Sequence, residues 1–170
     1  MLKRKMSFYL REWKSSKQNE CLFVKGARQV GKSFIIKHFG LTEYKSYIEI
    51  DFIKNPSHRD IFNGELDAQS VYERMSLIIP GIRFVEGDTL VFLDEIQECP
   101  RARTALKYLA QDGRYDVIAS GSLLGISYRE ETADTDYSVS VGYEQHVEMY
   151  PLDFEEYLWA TGMDQGAISA

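Results

Sequence analysis

The chain has 170 residues, 44% of them hydrophobic and 27% charged, and a formal net charge of −6. This composition fits one soluble globular domain with a normal core. An acidic total without a long basic stripe argues against nucleic-acid binding across the whole domain, and no apolar run approaches the ~20 residues of a membrane span.

The start, Met1-Leu2-Lys3-Arg4-Lys5-Met6, is basic, but no signal-peptide core follows it, so a cytoplasmic location is the expectation. Cys21 and Cys99 stand far apart and form no Cys-x-x-Cys pair, which speaks against a disulfide framework or a zinc site. His38, His58 and His146 are equally scattered.

Met6, Tyr9, Leu10 and Trp13 recur at helical spacing and predict a helix over about 5–17. Cys21-Leu22-Phe23-Val24 is a short apolar run that fits a buried parallel strand. It leads directly into Gly26-Ala27-Arg28-Gln29-Val30-Gly31-Lys32-Ser33, which fits the phosphate-binding pattern Gly-x-x-x-x-Gly-Lys-Ser/Thr. Gly26 and Gly31 lack a Cβ, so the backbone can approach a phosphate and its N–H groups can wrap it as a nest. Lys32 brings a point charge to phosphate oxygens, and Ser33 offers a hydroxyl to Mg²⁺. Phe34, Ile35, Ile36 and Phe39 then give a helix an apolar side, with Gly40 as its expected stop.

Tyr47-Ile48-Glu49-Ile50-Asp51-Phe52 reads as a second strand, ended by Asn55-Pro56. Val71, Tyr72, Met75, Ile78 and Ile79 mark a helix face with Asp67 as its cap, and Pro80-Gly81 closes it. Leu90-Val91-Phe92-Leu93 is a third strand, followed at once by Asp94-Glu95. Ala102, Ala105, Leu106 and Leu109 predict a helix stopping near Gly113. Tyr115 to Ala119 is a fourth strand, ending at Ser120-Gly121-Ser122. Residues 127–140 are polar, acidic and without period, and read as a mobile loop. His146 to Tyr150 gives a fifth strand, and Asp153 and Glu156 stand at capping-box spacing before Tyr157 and Leu158. Strands alternating with helices predict an α/β fold with a mainly parallel sheet.

Asp94-Glu95 supplies the second half of a candidate site. Two carboxylates after a buried strand stand at the C-terminal edge of the sheet, where ligands bind in open α/β folds. Asp94 can hold Mg²⁺ directly or through its water. Glu95 points elsewhere and can orient and deprotonate an attacking water. Ser120 and Ser122, at the end of the next strand, could reach a γ-phosphate and sense hydrolysis; the competing reading is an ordinary Ser-Gly turn. Gln97 is a lesser candidate for the same neighbourhood. Arg28 could pair with a phosphate or in the neighbourhood of Glu95, or simply be a solvated charge.

Taken together, Gly-Ala-Arg-Gln-Val-Gly-Lys-Ser, Leu-Asp-Glu-Ile-Gln-Glu-Cys-Pro, Ala-Ser-Gly-Ser-Leu-Leu-Gly and Tyr-Pro-Leu-Asp-Phe-Glu-Glu-Tyr-Leu resemble the AAA-type ATPase family of prokaryotes. In that family an N-terminal ATPase domain precedes a C-terminal domain of unknown function. The resemblance runs from about Phe23 to Trp159. It implies a P-loop NTPase fold of three layers, α/β/α, with a five-stranded sheet in the order 5-1-4-3-2. It implies ATP and Mg²⁺ as ligands, Gly26, Ala27, Arg28, Gln29, Val30, Gly31, Lys32 and Ser33 around the phosphates, and Ser33 and Asp94 at the metal. Catalytic roles fall on Lys32 and Glu95, with a sensor at Ser120 or Ser122. On this basis residues 1–170 form one ATPase domain, with its core over about 21–161 and without the usual C-terminal half.

One departure concerns turnover. Many relatives carry Gly-Arg shortly before the last strand, where this chain has Val141-Gly142-Tyr143-Glu144. Arg101, Arg103 and Arg129 are the remaining candidates for an arginine finger. Two functions therefore stand side by side: an Mg²⁺-dependent ATPase, with neighbouring subunits completing the site if it self-associates, and an ATP-gated binding module with little turnover. No Asn-Lys-x-Asp sequence points to guanine, and the adjacent acids favour water over a nucleoside as acceptor. The sequence names no protein or nucleic-acid partner.

Overall fold

The computed structural model describes residues 4–17, 19–27, 30–122 and 142–162. Five strands form one sheet: β1 (Cys21–Gly26), β2 (Ser46–Asp51), β3 (Thr89–Asp94), β4 (Asp116–Ser122) and β5 (Glu144–Glu148). Their order is β2-β3-β4-β1-β5 and every pairing is parallel, as the resemblance implied. The helices are α1 (Lys5–Ser16), α2 (Lys32–Glu43), α3 (Ala68–Ile78), α4 (Pro100–Asp112) and α5 (Phe154–Ala160). Short 3-10 turns at Pro56–Phe62 and Ile96–Glu98 were not read from the sequence.

Alternation along each strand sorts the core into two halves. Leu22 and Val24 of β1, Leu90 and Phe92 of β3 and Ile118 of β4 pack with Leu10 and Trp13 of α1 and Ile35, Ile36 and Phe39 of α2. Cys21, Phe23, Val91, Leu93, Val117 and Ala119 join Val71 and Met75 of α3 and Ala105, Leu106 and Leu109 of α4. Because both faces are covered, the central strands are apolar throughout instead of alternating with polar residues.

The expected caps are in place. The Asp67 carboxylate accepts the Ser70 N–H at 3.0 Å, and hydrogen bonding from the Ser70 hydroxyl together with this N–H holds the carboxyl below its ordinary pKa of 3.8. Asp153 accepts the Glu156 N–H at 2.8 Å, while Glu156 accepts the Asp153 N–H at 3.3 Å, a complete capping box. Gly113 ends α4 at φ 69, where a residue without Cβ is favoured.

Gly40 is a correction. It does not stop α2, which continues to Glu43. A Cβ at Gly40 would lie 2.2 Å from Tyr47 Cδ2 and 3.1 Å from Leu90 Cδ2, so the glycine lets the helix approach the sheet. The strand reading at Ser120-Gly121-Ser122 also changes: all three residues belong to β4, and there is no turn.

Two outcomes follow for stability. Gly40→Val should lower unfolding free energy by about 1–3 kcal/mol through overpacking against Tyr47, read from the midpoint of urea unfolding. The Asp67 cap stabilises α3 above the ordinary carboxyl pKa and loses that effect as pH falls through its lowered native value. Asp67→Ala should therefore show a flatter loss of stability on acidification below pH ~4 than the wild type, measured by thermal unfolding across pH.

Candidate active site

The same alternation builds the site. Leu90 and Phe92 face the layer holding α2, so Asp94, two residues further along β3, faces it too. Ile118 faces that layer on β4, and Ser120 follows at the same parity. Ser33 stands in the first turn of α2. The three meet: Ser33 Oγ donates to Asp94 Oδ2 at 2.7 Å, and Ser120 Oγ donates to Asp94 Oδ1 at 2.6 Å. Asp94 is 4% exposed and Ser120 is fully buried. Ser122 closes β4 opposite Gly26, the last residue of β1.

The loop between β1 and α2 has glycine where glycine is needed. A Cβ on Gly26 would lie 2.5 Å from the Met149 carbonyl oxygen, and Gly31 has φ 92. Lys32 is buried and folds back over the loop, its ammonium donating to the carbonyls of Gly26 at 3.0 Å and Ala27 at 2.7 Å. Arg28 and Gln29 lie outside the described residues, as do residues 127–140 and Arg129.

Glu95 leaves β3 in the left-handed region, at φ 58 and ψ 49, which separates its side chain from that of Asp94. Gln97 donates from Nε2 to Glu95 Oε2. Gln97 Oε1 is buried with no hydrogen-bond partner among the described residues. Gln97, a lesser candidate in the sequence, stands against Glu95 in the structure.

Arg101 and Arg103 are engaged in the fold. Arg101 donates to the carbonyls of Phe62 at 2.7 Å and Gly64 at 2.5 Å. Arg103 lies 3.6 Å from the Glu144 carboxylate and 4.9 Å over the Phe23 ring. Glu144 thus anchors Arg103.

Two further groups escaped sequence reasoning. Glu49, half-buried on β2, is held above the ordinary carboxyl range chiefly by burial; Asp94 adds to this, while Lys37 and Lys54 oppose it. Its position two residues before the end of a strand beside β3 was the available signal. Arg4 donates from Nη1 to the Val30 carbonyl within the loop at 3.1 Å. In the sequence it is one of several basic residues at the start of the chain.

The residues fit phosphate and a hard cation. A helix N-terminus, a loop with a left-handed glycine and a buried ammonium together favour an anion. Mg²⁺ is commonly held by one or two carboxylates plus substrate phosphates and waters, not by an all-protein cage. One carboxylate and one hydroxyl, Asp94 and Ser33, suit that pattern. No group of three or more His, Cys, Asp or Glu able to hold a metal occurs among the described residues. Nor is any helix among them long and apolar enough to cross a membrane.

A sequence comparison with curated proteins gives no match. Among solved structures, the chain is similar to the ORC2 protein of Aeropyrum pernix, described as ADPNP-ADP complexes, with TM-score 0.52 and 16% identity over 87% of this chain and 48% of that one. Pif1 helicase from Candida albicans gives TM-score 0.48 and 13% identity over 99% of this chain and 43% of that one. PCH-2 of C. elegans gives 0.45 and 15% over 95% and 46%. The chain therefore spans about half the length of these structures or less, and the likeness to ORC2 is one of fold. The family model described as AAA domain matches residues 18–158. That match covers most of the chain and places it in the AAA domain family of P-loop nucleotide-binding proteins.

Proposed function

We propose that the domain binds Mg·ATP and hydrolyses it to ADP and phosphate. The observation that carries this reading is the Asp94 carboxylate held between Ser33 of the phosphate loop and Ser120 of β4. It brings loop, acidic strand end and neighbouring strand to one point.

The residues divide the work as follows. The loop amides of residues 26–33 and the Lys32 ammonium neutralise and orient phosphate oxygens. For Lys32 this means exchanging the carbonyls of Gly26 and Ala27, its present acceptors, for phosphate. Ser33 and Asp94 would hold the metal, Asp94 directly or through water. Mg²⁺ held there would supply charge neutralisation to the phosphates. Glu95 orients the attacking water and takes its proton. Ser120, hydrogen-bonded to Asp94, and Ser122 at the end of the same strand sense the γ-phosphate position.

A second reading, an ATP-gated binding module with little turnover, is favoured by a specific observation. Arg101 and Arg103 are both bound into the fold, so neither is poised as an arginine finger within this chain. Such a finger contributes ~10³–10⁵ in rate where it is used. Self-association would provide another source.

Lys32→Ala should weaken Mg·ATP binding by roughly 10²-fold or more, measured by calorimetry; unchanged affinity removes the loop from the reading. Glu95→Gln should bind Mg·ATP as the wild type does while phosphate release falls by about 10²–10⁴-fold. Release assayed with ATP across protein concentrations separates the two readings. Specific activity that rises with concentration indicates a site completed by neighbours, and no release at any concentration favours the gated module.

A further inference from the structure

Arg4 stands immediately before α1 and joins three separate segments through one guanidinium. Nη1 donates to the Val30 carbonyl at 3.1 Å, Nη2 to the Tyr150 carbonyl at 2.8 Å, and Nε to Glu156 Oε2 at 2.8 Å. The Arg4 side chain is 14% exposed and that of Glu156 6%. Glu156 is fixed in turn: its Oε2 also accepts the Lys5 N–H at 2.9 Å, and it belongs to the capping box of α5. The Lys5 ammonium adds ion pairs to Asp153 at 2.7 Å and Glu155 at 2.9 Å.

The contact with Val30 has a geometric consequence. A trans peptide is planar, so its C=O and N–H point in opposite directions. The Val30 carbonyl and the Gly31 N–H belong to the same peptide group. Holding that carbonyl on Arg4 turns the Gly31 N–H to the other side of the loop, away from the guanidinium. Gly31, at φ 92, permits the turn that follows.

We propose that Arg4 is a positioning residue for phosphate binding: it aims the Gly31 N–H at the phosphate and ties that aim to the seating of α5. The proposal rests on the nucleotide-binding reading above. It gives Arg4 no direct contact with nucleotide, since three of its N–H groups are committed to protein acceptors and Glu156 balances its charge. Lysine could not replace it, because a single ammonium lacks the planar fork that reaches three acceptors at once.

The test uses the full chain, with Mg·ADP and Mg·ATP titrated by calorimetry into the wild type and into Arg4→Ala, Arg4→Lys, Glu156→Gln and Lys32→Ala. Each is held at a temperature where circular dichroism shows it folded. Arg4→Ala should weaken ADP and ATP by the same factor, about 10–100-fold, because both nucleotides carry the phosphate that the aimed N–H serves. Arg4→Lys should not restore affinity. Glu156→Gln, which keeps an acceptor but loses the charge, should weaken both by a smaller factor of ~2–10. The Gly31 amide resonance should shift on ADP addition in the wild type and lose that shift in Arg4→Ala, which a merely structural role would not cause.

Wild-type affinity in Arg4→Ala beside lost affinity in Lys32→Ala overturns the role of Arg4 and leaves nucleotide binding intact. Rescue by lysine also overturns it, since charge alone would then suffice. A wild type that binds neither nucleotide removes the nucleotide reading and the proposal with it. If Arg4→Ala does not fold, Glu156→Gln decides, and unchanged affinity there counts against the proposal.

Discussion

The Asp94 carboxylate, shared between Ser33 and Ser120, is the contact on which the site's geometry depends. Its two oxygens accept from different layers, one from the helix behind the phosphate loop and one from the adjacent strand. This arrangement requires the β3–β4 register observed, in which Leu93 pairs with Ala119. A one-residue slip of β3 would turn Asp94 to the α3–α4 face and bury it among apolar side chains, at a cost of several kcal/mol for an unpaired charge. Core packing and site assembly are thus the same constraint: the register that buries Phe92 also delivers Asp94.

Glu95 shows how two adjacent carboxylates avoid competing for one role. The left-handed backbone at φ 58 costs of order 1 kcal/mol for a residue with a Cβ and marks a deliberate bend in the chain. Past that bend, Glu95 enters a different environment and meets Gln97 instead of Ser33. Asp94 stays with the hydroxyls of Ser33 and Ser120, which leaves Glu95 for the separate role proposed for it.

Much of this was legible in the sequence because local rules carried it. The phosphate pattern, the apolar strands before it and before Asp94, the cap at Asp67 and the capping box at Asp153 and Glu156 all act over a few residues. Gly40 was misread because a glycine near the end of a helical run has two meanings, and only the position of Tyr47 on β2 decides between them. Ser120-Gly121-Ser122 has turn composition, yet β1 pairs with it residue by residue, Val24 beside Ser120 and Gly26 beside Ser122, and holds it as strand. Arg4 was illegible for a different reason. Its acceptors, Val30, Tyr150 and Glu156, are far away in sequence, and no spacing rule connects an N-terminal arginine to them.

The placement of β1 between β4 and β5 has a consequence for how the domain is made. Its partners are β4 and β5, with Leu22 beside Ile118 and Cys21 beside Glu144. Both arrive late in the chain, whereas the strand bearing the phosphate loop is the first to be synthesised. During translation, β2, β3 and the helices after them emerge before β1 gains a single permanent neighbour. Distant parallel pairings of this kind close slowly, because loop entropy is lost before contacts repay it. An apolar strand with two open edges waits through that interval, the state in which nascent chains are most exposed to misassembly. The close approach of Gly26 to the Met149 carbonyl consequently forms only when the segment through Met149 is in place.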